Sequence, residues 1–345
     1  MSRPTSFTSI PVVDVSALLL NGPDGLDTVA AEIGRAAREV GFFYITGMDV
    51  GEDLFERLLR ATKQFFALPL EEKMRCYIGL SACHRGYVPI GEEGLGDETP
   101  DLKEAFDTAL DLPADDPDYL AGNPMLGPNV WPDIPGFADA VTAYYHAVLD
   151  VGHRLLRCFA VALGEDKDCF ARHATKTPSQ LRLVHYPYNP DAEDHQGIGA
   201  HSDYECFTLL KPTAAGLEVL NGAGEWIDAP PIPGAFVVNI GDMLELWTNG
   251  EFIATTHRVR KVPEERYSFP LFFNVDYGTV VEPLPRFASR GDRARASLRA
   301  GDHLFAQTAQ TFVYLRKRVE SGELCLPEGA VTTGSFGQAA LQGRA

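Results

Sequence analysis

The chain has 345 residues, 45% of them hydrophobic and 23% charged, the balance of a globular protein that can bury a substantial core. A formal charge of -18 argues against nucleic-acid or anionic-membrane partners, since both need a basic face. Met1–Ile10 lacks the apolar core of a signal peptide, and no run approaches the ~18 apolar residues of a membrane span. The six cysteines are scattered without a C-x-x-C pair, which suits reduced thiols, so a soluble cytoplasmic protein is expected.

In chain order, Ile10–Asp14 predicts a short strand and Asp27–Val40 a helix, with Val29, Ile33, Ala36 and Ala37 on one stripe and Gly41 as its stop. Phe42–Ile45 reads as a compact strand, Asp53–Phe66 as a second helix and Leu70–Lys73 as a helical turn. Residues 77–134 are rich in Gly, Pro, Asp and Glu with little periodicity, which predicts a functional loop region or pocket wall. The clearest helix runs from Phe137 to Leu163, with Gly152 on its apolar stripe, where a missing side chain permits close packing.

From Leu181 the period shortens. Leu181–Tyr188, Phe207–Leu210, Leu217–Leu220, Trp226–Asp228, Ala235–Asn239, Ile253–Arg260 and Arg266–Val275 are β-rich and separated by turns such as Asn221-Gly222 and Pro233-Gly234. Closely spaced strands of this kind predict a double-sheet jelly roll. A helix over Asp302–Arg318 and a small-residue tail close the chain. The expected fold is α+β: an N-terminal region of helices, edge strands and pocket loops (1–134), then a jelly-roll core with flanking helices (135–345), together one compact unit.

His201-Ser202-Asp203 is the most informative stretch. Residues two apart on an extended segment project from one face, so His201 and Asp203 suit one ion. His257 lies in a strand-like run, Thr255–Val259, that can return to the same place after the intervening hairpins. Two imidazoles and one carboxylate are the ligand set of a non-haem ferrous centre with open positions, whereas zinc favours four-coordinate sites. A lone His-x-Asp is weak evidence; its conjunction with His257 and a downstream arginine is much stronger. The other histidines, His146 and His153 on the long helix among them, read as packing or surface residues.

Arg266 and Ser268 are likewise two apart on a β-rich run. An arginine can grip a carboxylate with two parallel hydrogen bonds and a serine hydroxyl can add a third. The flanking Tyr267, Phe269, Leu271 and Phe273 predict a strand buried on one side at least, and a buried arginine needs an anion.

These residues, with Leu181–Pro187, Gly197–Tyr204, Pro230–Met243 and Trp247–Gly250, resemble the isopenicillin N synthase-like branch of the Fe(II)/2-oxoglutarate-dependent oxygenases. The resemblance covers nearly the whole chain. It implies a double-stranded β-helix core, iron held by His201, Asp203 and His257, and the distal carboxylate of 2-oxoglutarate on Arg266 and Ser268 with support from Tyr186. It further implies that O2 and 2-oxoglutarate are consumed with release of succinate and CO2, that hydrogen is abstracted from a small-molecule substrate, and that ascorbate can serve as reductant. Asp203 argues against the halogenating variant. Arg85-Gly86-Tyr87 resembles the segment bordering the substrate pocket, making Arg85 and Tyr87 candidate contacts.

Three departures stand out. Glu205 occupies a position where that branch usually has glycine; it reads first as a solvated loop residue and second as a contact for a cationic or hydrogen-bonding substrate. Tyr188 replaces a common proline, and Lys261–Glu265 shortens the turn before Arg266. The leading expectation is a 2-oxoglutarate-dependent hydroxylase. Alternatives are an oxidase or cyclase of the same branch without 2-oxoglutarate, ethylene formation, and a non-catalytic jelly-roll binding module.

Overall fold

The computed structural model describes residues 4–20, 23–94, 102–188, 196–260, 264–288 and 297–327. The start of the turn before Arg266, His195 and the C-terminal tail lie outside them.

The N-terminal elements follow the predicted pattern closely. They are β1 (Val12–Asp14), α1 (Pro23–Glu39), β2 (Phe42–Thr46), α2 (Glu52–Phe66) and α3 (Leu70–Met74). The stretch expected to be loop is more structured than its composition suggests. It contains β3 (Gly86–Val88), β4 (Glu104–Ala109) and the single turn α4 (Pro117–Leu120). All six residues of β4 are buried, two of them acidic, so the strand has no polar-apolar alternation to betray it. Its carboxylates are tolerated because each is paired: Glu104 with Lys73 at 2.7 Å and Asp107 with Arg182 at 2.7 Å.

The long helix α5 (Phe137–Ala162) buries the predicted stripe, including Phe137, Val141, Tyr144, Val148, Leu155 and Phe159. A Cβ on Gly152 would sit 2.3 Å from the Phe273 ring, so glycine lets α5 lie flat on the sheet. The core strands are β5 (Gln180–Tyr186), β6 (Gln196–His201), β7 (Phe207–Pro212), β8 (Leu217–Leu220), β9 (Trp226–Asp228) and β10 (Phe236–Ile240). After the short helix α6 (Asp242–Trp247) come β11 (His257–Arg260) and β12 (Arg266–Phe273). The run expected as a strand from Ile253 pairs only from His257. Its first amides are already taken, Ile253 N by Ala37 O and Ala254 N by Glu245 Oε2.

Eight strands form the major sheet in the order β1-β2-β10-β7-β12-β5-β4-β3, and four form a minor sheet in the order β6-β11-β8-β9. Along β12 the side chains divide with period two. Tyr267, Phe269, Leu271 and Phe273 belong to the main core cluster, with Phe269 against Phe55 and Tyr144, while Arg266, Ser268, Pro270 and Phe272 line a cavity.

The single predicted C-terminal helix is two: α7 (Ala300–Thr311) and α8 (Val313–Glu320). Phe312 takes extended dihedrals (φ -92°, ψ 129°) between them. At this elbow the amides of Val313 and Tyr314 turn outward to the Glu92 carbonyl and carboxylate. Apolar periodicity cannot see such a break.

Candidate metal centre and cosubstrate cavity

His201 ends β6, and His257 begins β11 directly opposite it in the antiparallel register. Facing residues on paired strands bring their side chains close on one face, and the two rings lie 4.3 Å apart. Asp203 follows two residues after His201. Its Oδ1 lies 3.6 Å from the Nε2 of each histidine, and one ligand atom from each of the three falls within 4.8 Å of the others.

Each ligand is oriented by the backbone or by a neighbour. His201 Nδ1 donates to Gly199 O at 2.7 Å and His257 Nδ1 to Thr255 O at 3.2 Å, leaving both Nε2 lone pairs directed at the common centre. Phe42 packs edge-on against the His257 ring, centroids 5.1 Å apart. Asp203 Oδ2 accepts hydrogen bonds from Thr208 Oγ1 and, at 2.7 Å, from Asn239 Nδ2. One oxygen is thereby occupied by donors and the other faces the histidines, an arrangement suited to binding through a single oxygen. Ser202 donates to Asp242 Oδ1 at 2.8 Å, and the Asp242 amide returns to Asp203 O at 2.9 Å, fixing the loop on the start of α6.

The electrostatics match this geometry. Burial alone would raise the Asp203 carboxyl, but His257, His201 and the two donors outweigh it and lower it. Burial, with His201 beside it, pushes His257 down to about 4, so the ring is neutral and available as a ligand.

The triad opens on a cavity of about 440 Å³ between the two sheets. Arg266 and Ser268 project into it from β12, Tyr186 from the facing position of β5. Arg266 is 1% exposed, and its guanidinium lies over the Tyr186 ring at 4.8 Å. Its Nε donates to Ala214 O at 3.3 Å, yet neither Nη atom has a partner. A buried guanidinium with two orphaned donors aimed into a cavity fits a carboxylate, because leaving such groups unpaired is expensive.

Other expected site residues lie elsewhere. Arg85 is buried and bonded to the carbonyls of Cys83, His84 and Met125, and it does not line the cavity. Tyr87 packs on Phe65 and donates to Glu104 at 2.6 Å, also away from the cavity. Their neighbour His84, at φ +60°, is the residue of that segment that reaches the cavity wall. Tyr188 is exposed. Glu205 is not the solvated loop residue that its type suggests: it is 8% exposed and lines the cavity. Burial, with Asp203 and Asp242 nearby, pushes its carboxyl up to about 8.

Sequence reasoning passed over Asn239, although a lone amide in the otherwise apolar, fully buried run Phe236–Ile240 was a usable signal. It also passed over the charged wall of Glu93, Lys103 and Arg182, which segments distant in sequence bring together.

A jelly roll carrying two histidines and one carboxylate around a common point, beside a buried arginine with two unpartnered donors, has the donor set of a non-haem iron oxygenase. Comparison with known proteins makes the class specific. Residues 177–275 match the model of the 2OG-Fe(II) oxygenase superfamily, and residues 10–134 match that of the non-haem dioxygenase in morphine synthesis N-terminal region. The homoarginine-6-hydroxylase 2-ODD-233 of Oryza sativa subsp. japonica is 35% identical, over 90% of this chain and 99% of the rice protein. Among solved structures, a 2OG-Fe(II) oxygenase family protein from Caulobacter crescentus has TM-score 0.76 at 31% identity, over 91% of this chain and 99% of that one. A Neurospora crassa protein, solved in complex with alpha-KG and thymine, has TM-score 0.73 at 27% identity, over 91% of this chain and 97% of its own. The chain belongs to the 2OG-Fe(II) oxygenase superfamily. It is an Fe(II)- and 2-oxoglutarate-dependent dioxygenase acting on a small molecule. Among the described residues, no helix is long and apolar enough to cross a membrane.

Proposed function

We propose that this dioxygenase hydroxylates its substrate, with His201, Asp203 and His257 as the iron ligands and Arg266, Ser268 and Tyr186 as the 2-oxoglutarate site. The observation that carries the reading is the pair of unpartnered Arg266 Nη atoms, buried in the same cavity as the triad. Bound iron supplies O2 activation coupled to oxidative decarboxylation of 2-oxoglutarate to succinate and CO2. The chain's own residues do the positioning. The Gly199 and Thr255 carbonyls hold the histidine tautomers, Thr208 and Asn239 hold the free oxygen of Asp203, and Arg266 with Ser268 anchors the cosubstrate's far carboxylate.

A cytoplasmic location, with neither nucleic acid nor membrane as partner, fits the -18 charge. Segments 1–134 and 135–345 act as one unit in this reading, supported by a major sheet that draws β1 to β4 from the first and its remaining strands from the second.

The test is product analysis with Fe(II), 2-oxoglutarate and ascorbate, taking homoarginine first because the rice relative is named for it. Succinate and hydroxylated product should form in a 1:1 ratio, as dioxygenase stoichiometry demands. Substrate oxidation indifferent to 2-oxoglutarate would defeat the reading.

A further inference from the structure

Four residues along β5 from Tyr186, the cavity wall carries a second group of charges. Arg182 sends Nε and Nη2 to the Asp107 carboxylate, each at 2.7 Å, and its Nη1 lies 2.6 Å from Glu93 Oε1. Lys103 Nζ pairs with Glu93 Oε2 at 2.8 Å. Two cations and two anions therefore cancel within the wall.

Glu205 is the acidic group left without a basic partner. It faces the same cavity at 8% exposure, and among the described residues no side chain of another residue forms a hydrogen bond or ion pair with it. The charged groups that act on it include Asp203 and Asp242, of the same sign, and Arg182, already committed to Asp107 and Glu93. Around it the cavity offers carbon surface from Phe272, Leu304 and Phe312. Tyr204, the residue before it, reaches Thr311 at the end of α7 (3.4 Å), and Cys206, the residue after it, donates its amide to Phe273 O, which puts Glu205 by the opposite end of β12 from Arg266.

We propose that the prime substrate is a small organic cation, an ammonium or guanidinium on a carbon chain, whose charged nitrogen docks on Glu205. Ionising a buried carboxyl without a counter-ion is costly, and a cationic ligand in the cavity supplies that counter-ion as it binds, whereas a neutral ligand of equal shape does not. The inference rests on this cavity being the oxygenase site.

The test is calorimetry on the full-length protein loaded with Mn(II) and 2-oxoglutarate without O2, so that binding is read in the absence of turnover. The probes are pairs matched in shape: L-arginine with L-citrulline and L-homoarginine with L-homocitrulline, in which only the side-chain charge is removed, and n-butylguanidine with n-butylurea, of which the second carries no charge. At least one cation should bind roughly tenfold to a hundredfold more tightly than its neutral partner. In Glu205→Gln that ratio should collapse to about threefold or less, with the 2-oxoglutarate affinity of the same sample reporting whether the site is intact. If the variant does not fold, the wild-type ratios decide. Neutral partners binding as well as cations, an undiminished ratio in Glu205→Gln, or no cation binding to protein that does take up 2-oxoglutarate would each overturn the proposal. Failure of the wild type to bind 2-oxoglutarate at all would overturn the cosubstrate assignment and this proposal with it.

Discussion

Three arginines, two buried and one largely so, do three different jobs, and the difference lies in what each guanidinium meets. Arg85 is spent on backbone carbonyls, Arg182 on carboxylates, and Arg266 keeps two donors open toward the cavity. Replacing Arg266 with Leu should therefore weaken 2-oxoglutarate binding by roughly tenfold to a hundredfold in calorimetry, the worth of a charge-assisted pair, while metal content holds. Asn239→Ala removes one of the two donors to Asp203 Oδ2 and should lower metal affinity by about tenfold to a hundredfold, as loss of an orienting partner typically does; a metal titration reads it directly. At Glu93, burial alone would raise the carboxyl, but Arg182 and Lys103 outweigh it and hold it at about 2. An unfolded glutamate titrates near ~4.3. Between those values the unfolded chain binds the extra proton, so this stability is present in full above the unfolded value and is lost as pH falls toward 2. Glu93→Gln should cost about 3 kcal/mol or more at neutral pH and flatten the acid limb of the urea midpoint against pH; an unchanged slope would contradict the pairing. The nearness of His201 and Asp203 and the cavity-facing placement of Arg266 and Ser268 were legible because a spacing of two on a strand fixes a shared face. For Glu205 the solvated reading came first and the pocket reading second, because a glutamate looks solvated until its surroundings are known; the structure buries it in the cavity wall.

At the scale of elements, legibility followed periodicity. The helices α1, α2 and α5 and most strands of the core announce themselves by spacing, and Gly152 announced a close approach. Gly152→Val should force the Phe273 ring, stacked on Phe207, out of place and cost about 1–3 kcal/mol in denaturant unfolding. A neutral result would mean that α5 does not bear on the sheet there. What stayed hidden was set by partners far away in sequence. The strand β4 is tolerated only because Lys73 and Arg182 neutralise its acids. The elbow at Phe312 exists because the 89–94 turn supplies acceptors for the amides of Val313 and Tyr314. That elbow and turn bring Glu93 and Phe312 into one cavity wall, so the substrate end of the site was the least readable part of the chain.

For the whole molecule, function follows from two sheets meeting over one cavity. The minor sheet contributes His201 and His257 on adjacent strands, the major sheet contributes Arg266 and Ser268, and the loop after β6 supplies Asp203. Neither sheet alone carries both the paired histidines and Arg266. The most direct measurement is therefore anaerobic calorimetry of 2-oxoglutarate into wild-type, His201→Ala and Arg266→Leu proteins, each with and without Fe(II). One 2-oxoglutarate per chain should bind the iron-loaded wild type, with affinity falling sharply when the iron, the His201 imidazole or the Arg266 guanidinium is removed. Equal affinity in all these samples would show that the metal and the arginine do not share a ligand, contradicting the account.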